Sequence, residues 1–278
     1  METVKSTITR LFADVDKCDW LQVESTLDDS VLLDYTSMNG GTAQWLTPQQ
    51  ITGAWAAFLP GFDRTHHQIS DFEISENKDS SLAHYKGKAE HFIGNEIWVV
   101  EGTYDATLRK KNGNWVIAQF KFNFKDQSGN TSLPAIARQR MALARQEQNR
   151  ATVNKFFVAL ESQEFELLRT IFAENGQQFN PYAPEGFPRS FDGAEGIYKQ
   201  YSGLTALFGQ MKFPREIFAT EDPDFFFVKF KGYIDINAGG RYENDYLGTF
   251  RLVEGKIIAY TEYFNQVVMA KAFGIKLT

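Results

Sequence analysis

The chain is poor in cysteine and has no long apolar run. Its 278 residues include one cysteine, Cys18, which excludes an internal disulfide and a zinc site built from CxxC pairs. No stretch approaches the roughly 20 consecutive apolar residues of a membrane span, and residues 1–12 are amphipathic without an apolar signal core. The net charge is −6 and there is no basic stripe to neutralise phosphates. We therefore expect a soluble, cytoplasmic protein that binds neither membranes nor nucleic acids.

Histidine is also scarce, and its distribution is uneven. All four histidines fall within residues 66–91, and two of them are adjacent in LPGFDRTHHQI (residues 59–69). Aromatic residues make up 15% of the chain, with 25 Phe, which favours strands and aromatic-lined cavities over a plain helical bundle. The pattern indicates a pocket in the first half of the chain, in which histidine has a chemical role.

The sequence repeats itself once. EGTYDATLRKKNGNWVIAQFKFN (residues 101–123) aligns with ENDYLGTFRLVEGKIIAYTEYFN (residues 243–265), and an upstream pair of helical patterns matches in the placement of its apolar positions. The residues that recur in register include Glu101/Glu243, Tyr104/Tyr246, Arg109/Arg251, Gly113/Gly255, Phe122/Phe264 and Asn123/Asn265. A whole domain is therefore duplicated, since a solenoid would have a shorter period.

The boundary between the copies is predicted near residue 130. DQSGNTSLP (residues 126–134) is typical of a turn-rich linker, and Ser132 and Pro134 open a long helical stretch that enters the second copy. We predict domains at 1–130 and 131–278. In each copy, helices precede strands, which predicts an α+β fold of two tandem cones, each with three helices packed on one face of a curved antiparallel sheet that encloses a pocket.

Local patterns support these elements in the first copy. Thr47 and Gln50 form a capping box before a helix, and KNGN (residues 111–114) is a hairpin turn. Strand alternation places Tyr85 and His91 on one apolar face, and Trp98 and Tyr104 on the apolar face of the next strand. The same alternation sends His67 inward with Ile69, whereas His66 faces solvent.

The first copy resembles the SnoaL-like branch of the NTF2-like (cystatin-like) superfamily, in the group that includes scytalone dehydratase. The resemblance is carried by LLDYTS (residues 32–37), LPGFDRTHHQI, KAEHF and the NGNW hairpin. It implies a cofactor-free, metal-free site whose catalytic Asp, His and second His correspond to Asp34, His67 and His91. The interval from Asp34 to His67 is shorter here than in that family.

The second copy resembles the phenazine-biosynthesis condensing proteins. TEDPDFFFVKFKG (residues 220–232), YENDYLGTFRLVEGKI (residues 242–257) and EYFNQVVMAKAFGI (residues 262–275) carry the likeness. It implies that Glu262 corresponds to that family's catalytic glutamate, and Tyr246 is a further candidate in the same copy. The family's histidine has no counterpart, because the second copy contains none.

These residues lead to a first hypothesis of a cofactor-free lyase or isomerase, namely a dehydratase, double-bond isomerase or cyclase, acting on a small apolar carbonyl metabolite. His67, oriented by Asp34, would remove a proton next to a carbonyl, with His91 as a second acid or base. Tyr35, Tyr85, Trp98 and Tyr104 would contact the substrate, and a tyrosine hydroxyl would hold the enolate oxygen.

Other hypotheses remain open from the sequence. The pockets could hold an apolar ligand without chemistry, or the two cones could form a preformed pseudo-dimer that serves as an interaction scaffold, alone or within a homodimer. Asp34, His67 and His91 also fit a two-histidine, one-carboxylate metal triad. Contact between Asp34 and His67 inside an open cavity would separate the catalytic hypothesis from the others.

Overall fold

The computed structural model describes residues 3–275. The chain divides into two compact units, Met1–Met141 and Ala142–Thr278. Each unit has its own hydrophobic core and combines helices with one curled sheet, so the predicted α+β architecture is confirmed. Within the described residues, no helix is long and apolar enough to cross a membrane.

The first unit places four helices around a six-stranded sheet. Its helices are α1 (Val4–Asp16), α2 (Trp20–Ser25), α3 (Thr36–Asn39) and α4 (Pro48–Ala56). Its strands are β1 (Leu27–Asp34), β2 (Gln44–Leu46), β3 (Arg64–Glu76), β4 (Ser80–Ile93), β5 (Glu96–Lys111) and β6 (Asn114–Gly129), and a short 3₁₀ turn spans Leu59–Gly61.

The sheet of the first unit has the order β2-β1-β6-β5-β4-β3. The sheet is antiparallel as predicted in all pairings but one, since β1 pairs with β6 in parallel. The long chain path between these two strands permits a parallel pairing, which a short hairpin cannot make. Register shifts in β3/β4 and β5/β6 mark bulges, which bend the sheet around the helices.

The ends of the local elements follow the predicted chemistry. Thr47 and Gln50 form a reciprocal capping box at the start of α4, with Pro48 in its first turn. Asn112 and Gly113 both have positive φ between β5 and β6, as a tight hairpin of right-handed twist requires.

The second unit repeats this plan. Its helices are α5 (Leu133–Glu161), which begins in the first unit, α6 (Glu166–Ile171), α7 (Gly193–Gly203) and α8 (Gln266–Phe273). Its strands are β7 (Phe172–Phe179), β8 (Ser190–Asp192), β9 (Phe208–Lys212), β10 (Arg215–Ala219), β11 (Phe225–Ile236), β12 (Arg241–Val253) and β13 (Lys256–Phe264).

The sheet register agrees with the duplication read from the sequence. The second sheet has the order β10-β11-β12-β13-β7-β8, and β13 pairs with β7 in parallel as β6 does with β1. Tyr104 lies opposite Phe122 in the first unit, and Tyr246 lies opposite Phe264 in the second. The two repeats therefore share cross-strand pairs as well as element order.

The segment between the copies differs from the predicted linker. Residues 126–129 continue β6 and pair with Trp98–Glu101 of β5, so cross-strand hydrogen bonds override their turn-forming composition. The following helix α5 is continuous from Leu133 to Glu161. Leu133 and Ala137, one turn apart, are buried in the core of the first unit.

Helix α5 packs against the 3₁₀ turn of the first unit at Gly61. A Cβ added at Gly61 would lie 2.2 Å from the carbonyl oxygen of Ala137, a backbone atom that cannot rotate away. We expect Gly61→Ala to destabilise the first unit by about 1–3 kcal/mol through overpacking. Because all five tryptophans precede residue 116, urea unfolding followed by tryptophan fluorescence reports on this unit.

Gly53→Ala is the matched control for that substitution. Gly53 lies inside α4 with no atom within 4 Å of an added Cβ, so this variant should be stabilised by about 0.5–1 kcal/mol through helix propensity. Equal stability of the two variants would contradict the close contact between Gly61 and α5.

Candidate active site

The first unit brings His67 together with a carboxylate that sequence reasoning missed. Asp16 is the last residue of α1, and its Oδ1 lies 2.6 Å from Nδ1 of the His67 ring on β3. Its Oδ2 accepts the His67 backbone N–H at 2.8 Å, and the Thr65 hydroxyl donates to Oδ1 at 2.8 Å. Both carboxylate oxygens are therefore occupied, and the ring is held at one nitrogen.

The protonation pattern of this pair follows from its contacts. Burial alone would raise the pKa of Asp16, but the hydrogen bonds and charge of His67 and the Thr65 hydroxyl outweigh burial, and the pKa is lowered from its usual value. An ionised carboxylate only accepts hydrogen bonds, so Nδ1 of His67 carries the proton. Nε2 is then the ring nitrogen available to a substrate.

His91 lies close to this pair and is buried. Its ring centroid is 6.1 Å from that of His67 and 4.5 Å from that of Trp98. Burial, with the nearby His67, lowers the pKa of His91 to about 4, so its ring is neutral at pH 7. Its Nδ1 lies 3.4 Å from the Trp98 carbonyl oxygen, a contact in which Nδ1 must be the donor. Nε2 of His91 is consequently a hydrogen-bond acceptor.

Two tyrosines supply donors to the same pocket. The hydroxyls of Tyr35 and Tyr104 lie close to each other, and burial raises the pKa of both well above the usual value. They stay protonated at neutral pH and can donate to an oxygen atom.

His67, His91, Tyr35 and Tyr104 line one cavity of about 360 Å³. Its wall is predominantly apolar and aromatic, as in many small-molecule sites. It includes Leu11, Phe12, Val15, Leu33, Tyr35, Met38, Trp55, Phe58, His67, His91, Trp98, Tyr104 and Phe122. Tyr35, Trp98 and Tyr104, which the sequence offers as substrate contacts, thus lie in the cavity wall.

The predicted contact between Asp34 and His67 is wrong. The Asp34 carboxylate accepts from the Thr36 backbone N–H at 2.9 Å and from the Thr36 hydroxyl at 2.6 Å, and these bonds lower its pKa. It lines a depression outside the cavity with Lys121. The reason is strand parity, since Leu33 and Tyr35 face the cavity and the residue between them faces away. The metal triad of Asp34 with the two histidines is therefore not formed.

One other residue is placed differently from the sequence expectation. Tyr85 is fully buried, stacked between Phe72 and Tyr104, and does not line the cavity, so the predicted substrate contact is wrong. His84 is exposed and pairs with Asp105 at 2.6 Å on the outer face. The histidine cluster therefore reflects two adjacent strands, β3 and β4, of which only His67 and His91 face inward.

A helical signal for Asp16 was present in the sequence. Ile8, Phe12 and Asp16 follow each other at four-residue spacing, so Asp16 continues the buried face of α1 at its last turn. A carboxylate at such a position needs a polar partner, because burying an unpaired charge is costly. The partner, 51 residues away, is not indicated by local pattern.

The second unit has a smaller cavity, of about 180 Å³, built around a carboxyl group. Glu262 on β13 lines it with Tyr201, Tyr242 and Tyr246, and the Tyr260 hydroxyl donates to Glu262 Oε2 at 2.6 Å. Burial raises the pKa of Glu262 to about 7, although the Tyr260 hydrogen bond acts in the opposite direction. This cavity therefore holds a carboxyl group that gains and loses a proton near neutrality.

Comparison with known proteins assigns each half of the chain separately. Residues 135–278 match the family model described as phenazine biosynthesis protein A/B, and residues 1–121 match the SnoaL-like domain. Both resemblances read from the sequence are thereby confirmed at the level of the family.

Individual relatives are distant. The chain is 30% identical to phenazine biosynthesis protein PhzA1 of Pseudomonas aeruginosa over 132 residues, covering 46% of this chain and 81% of the relative. It is 25% identical over 126 residues to the uncharacterized protein YesE of Bacillus subtilis, covering 44% and 85%. A crystal structure of a phenazine biosynthesis-related protein, phzb2 of Pseudomonas aeruginosa, superposes with a TM-score of 0.43 at 24% identity, covering 49% of this chain and 92% of that one.

Proposed function

Because the chain belongs to the phenazine biosynthesis protein A/B family through residues 135–278 and has a SnoaL-like domain before them, we propose that its first unit is an acid/base enzyme that needs no cofactor. Its substrate is a small, largely apolar carbonyl compound, and its reaction is double-bond migration or dehydration. The observation that carries this proposal is the Asp16–His67 pair beside an aromatic cavity that His91 also lines.

His67 is the base in this mechanism. Its Nε2 takes a proton from the carbon next to the substrate carbonyl, and the electrons of the broken C–H bond move into the enolate. The imidazolium that forms lies 2.6 Å from the Asp16 carboxylate, which stabilises the positive charge and holds the ring in place. The proton then returns to a different carbon, giving an isomer, or to a β-hydroxyl, which leaves as water.

The remaining polar groups have complementary roles. The hydroxyls of Tyr35 and Tyr104 donate to the carbonyl oxygen, on which negative charge develops. Neutral His91 accepts a hydrogen bond from a substrate hydroxyl through Nε2 and so orients the carbon skeleton, since a ring of pKa about 4 is a poor proton donor at neutral pH. This replaces the role of second acid or base that the sequence suggests for His91.

Glu262 supports a second candidate function, an acid/base site in the second unit. A carboxyl group with a pKa near 7 exchanges protons readily at neutral pH, and Tyr246 and Tyr242 lie beside it in the cavity. The cavity is half the size of the first, which limits it to a smaller substrate or to part of one.

The carboxylate assignment in the first unit has a direct test. In D₂O, the wild-type protein should accelerate deuterium uptake next to the carbonyl of 2-tetralone, an apolar aromatic ketone, as followed by proton NMR. Asp16→Asn should lower the accelerated rate on the order of tenfold or more, because the amide cannot stabilise the imidazolium. Asp34→Asn is the matched control and should keep the wild-type rate.

Two outcomes would contradict the proposal. One is a wild-type rate equal to that of buffer. The other is a loss in Asp34→Asn as large as that in Asp16→Asn. Tryptophan fluorescence of each variant shows whether the first unit is folded, since all five tryptophans lie in it.

A further inference from the structure

The linking helix α5 places a cation at the entrance of the first cavity. Most residues lining this cavity are buried or half-buried, whereas Asn39, Ala54 and Arg138 are exposed and therefore mark its mouth. Arg138 is the only lysine or arginine among the described lining residues, and no aspartate or glutamate lines the cavity with it. A ligand that enters thus meets one positive charge in an otherwise neutral wall.

The position of Arg138 is determined by its neighbours on the helix. Ala137 is fully buried against Gly61, and Arg140 donates from Nη1 to Asp63 Oδ1 at 2.7 Å. These two contacts anchor α5 on the 3₁₀ turn, on either side of Arg138. The anchoring holds the Arg138 backbone at the mouth, so its side chain does not depend on a flexible loop for its placement.

The guanidinium of Arg138 makes an aromatic contact but no ion pair. Its Cζ lies 4.7 Å from the centroid of the Phe58 ring, which itself lines the cavity. Within residues 3–275 no carboxylate forms a salt bridge with Arg138, whereas Arg140 and Arg145 each have one. The planar guanidinium donors of Arg138 are therefore available to a ligand oxyanion, a pairing that guanidinium makes in bidentate form.

Aromatic rings connect this cation with the reacting end of the site. Phe58 and His91 both line the cavity, and Phe62, which is buried behind them, contacts their rings at centroid distances of 5.2 and 4.8 Å. The mouth and the histidines thus belong to one continuous wall. A planar molecule lying along this wall would have one end at Arg138 and the other near His67.

We propose that Arg138 selects a substrate that carries a carboxylate at the end opposite its reacting carbonyl, so that the substrate class is an aromatic or polyunsaturated keto acid. The identity of the reacting end rests on the proposed function, whereas the charge selectivity rests on the cavity alone. An exposed guanidinium at the mouth also favours anionic ligands on approach, and this preference weakens as salt screens the charge.

A matched pair of probes separates charge recognition from simple apolar binding. The probes are 2-naphthoate and its neutral amide, 2-naphthamide, which have nearly the same shape, titrated calorimetrically into the full chain at low salt and pH 7.5. Wild-type protein should bind the naphthoate more tightly, by about tenfold, as expected for one partly exposed charge-assisted pair. Arg138→Gln should lose this preference while its affinity for the amide stays the same.

Two further variants sharpen the test. Arg138→Lys keeps the charge without the bidentate geometry and should retain part of the preference. Arg145→Gln makes the same change in net charge further along α5, at a side chain that pairs with Asp224 and does not line the cavity, and should behave like the wild type.

Each outcome decides the proposal. Equal binding of the two probes by the wild type, including no measurable binding of either, overturns it, as does a preference that survives in Arg138→Gln. If Arg138 only closes the cavity by packing on Phe58, Arg138→Gln should bind both probes more weakly to the same extent. Binding does not require turnover, so a charge preference that persists in a catalytically inactive protein would leave this inference standing while the proposed reaction failed.

Discussion

Replacing His67 by alanine should lower the rate of proton exchange on 2-tetralone by about 10²- to 10⁴-fold, the contribution of one positioned general base. The variant loses the Nε2 that faces the cavity, and the Asp16 carboxylate beside it loses its ring partner. Removing the base should affect the rate of the chemical step more than the affinity for the ketone, because aromatic residues form most of the cavity wall.

His66→Ala is the control that isolates this effect. His66 is the next residue on β3, but its ring faces outward and pairs with Glu90 at 3.1 Å. An exposed change of this kind should alter the exchange rate by no more than about twofold, since it touches neither the cavity nor Asp16. A large loss in His66→Ala, or full activity in His67→Ala, would be incompatible with His67 as the base.

The second large effect concerns Glu262 and the pH dependence of stability in the second unit. Glu262→Gln should gain stability relative to the wild type as pH rises from about 4.5 to 8, by up to about 3 kcal/mol. The measurement is urea unfolding followed by circular dichroism at several pH values, with tryptophan fluorescence recording the first unit in the same samples.

The sign follows from the direction of the pKa shift. Burial raises the pKa of Glu262 from 4.5 to about 7, so the folded state holds a proton that the unfolded chain releases. This stabilisation is fully present below pH 4.5 and is lost as pH rises through 7, where the buried carboxyl must ionise. Part of the side chain is accessible from the cavity, and water there screens the charge, so 3 kcal/mol is an upper bound.

Tyr260→Phe should enlarge the pH-dependent effect that Glu262→Gln removes. The Tyr260 hydroxyl donates to Glu262 at 2.6 Å and thereby lowers the carboxyl pKa against the effect of burial. Without this donor the pKa of Glu262 rises further, so the loss of stability with increasing pH should extend to higher pH. Parallel pH profiles for the wild type and Glu262→Gln would mean that Glu262 titrates as an ordinary solvated carboxyl group.

Periodicity and repetition were sufficient to predict the α+β architecture and its duplication. Alternation in β4 and β5 placed His91, Trp98 and Tyr104 on the inner face, because side-chain direction in a strand depends on parity alone. The pairing of Tyr104 with Phe122 and of Tyr246 with Phe264 depends on the duplicated hairpin turn, with positive φ at Asn112–Gly113 and Glu254–Gly255, and on the register shift that both copies have near the turn. These features are local, so the sequence carries them in full.

The same rule of parity would have placed Asp34 correctly had it been applied to β1. Leu33 and Tyr35 line the cavity, so Asp34 between them faces outward, where local bonds to Thr36 satisfy its carboxylate. The resemblance to a related motif led to the opposite assignment.

What the sequence by itself determined is the α+β plan, its duplication and the inward faces of β4 and β5, since each depends on spacing of a few residues. Only the tertiary structure decided that the end of α1 lies against β3, so that Asp16 rather than Asp34 holds His67. It also decided that α5 docks on Gly61 and brings Arg138 to the cavity mouth. Both are contacts between elements far apart in the chain, and packing of whole elements, which no short pattern records, determines which side chains meet.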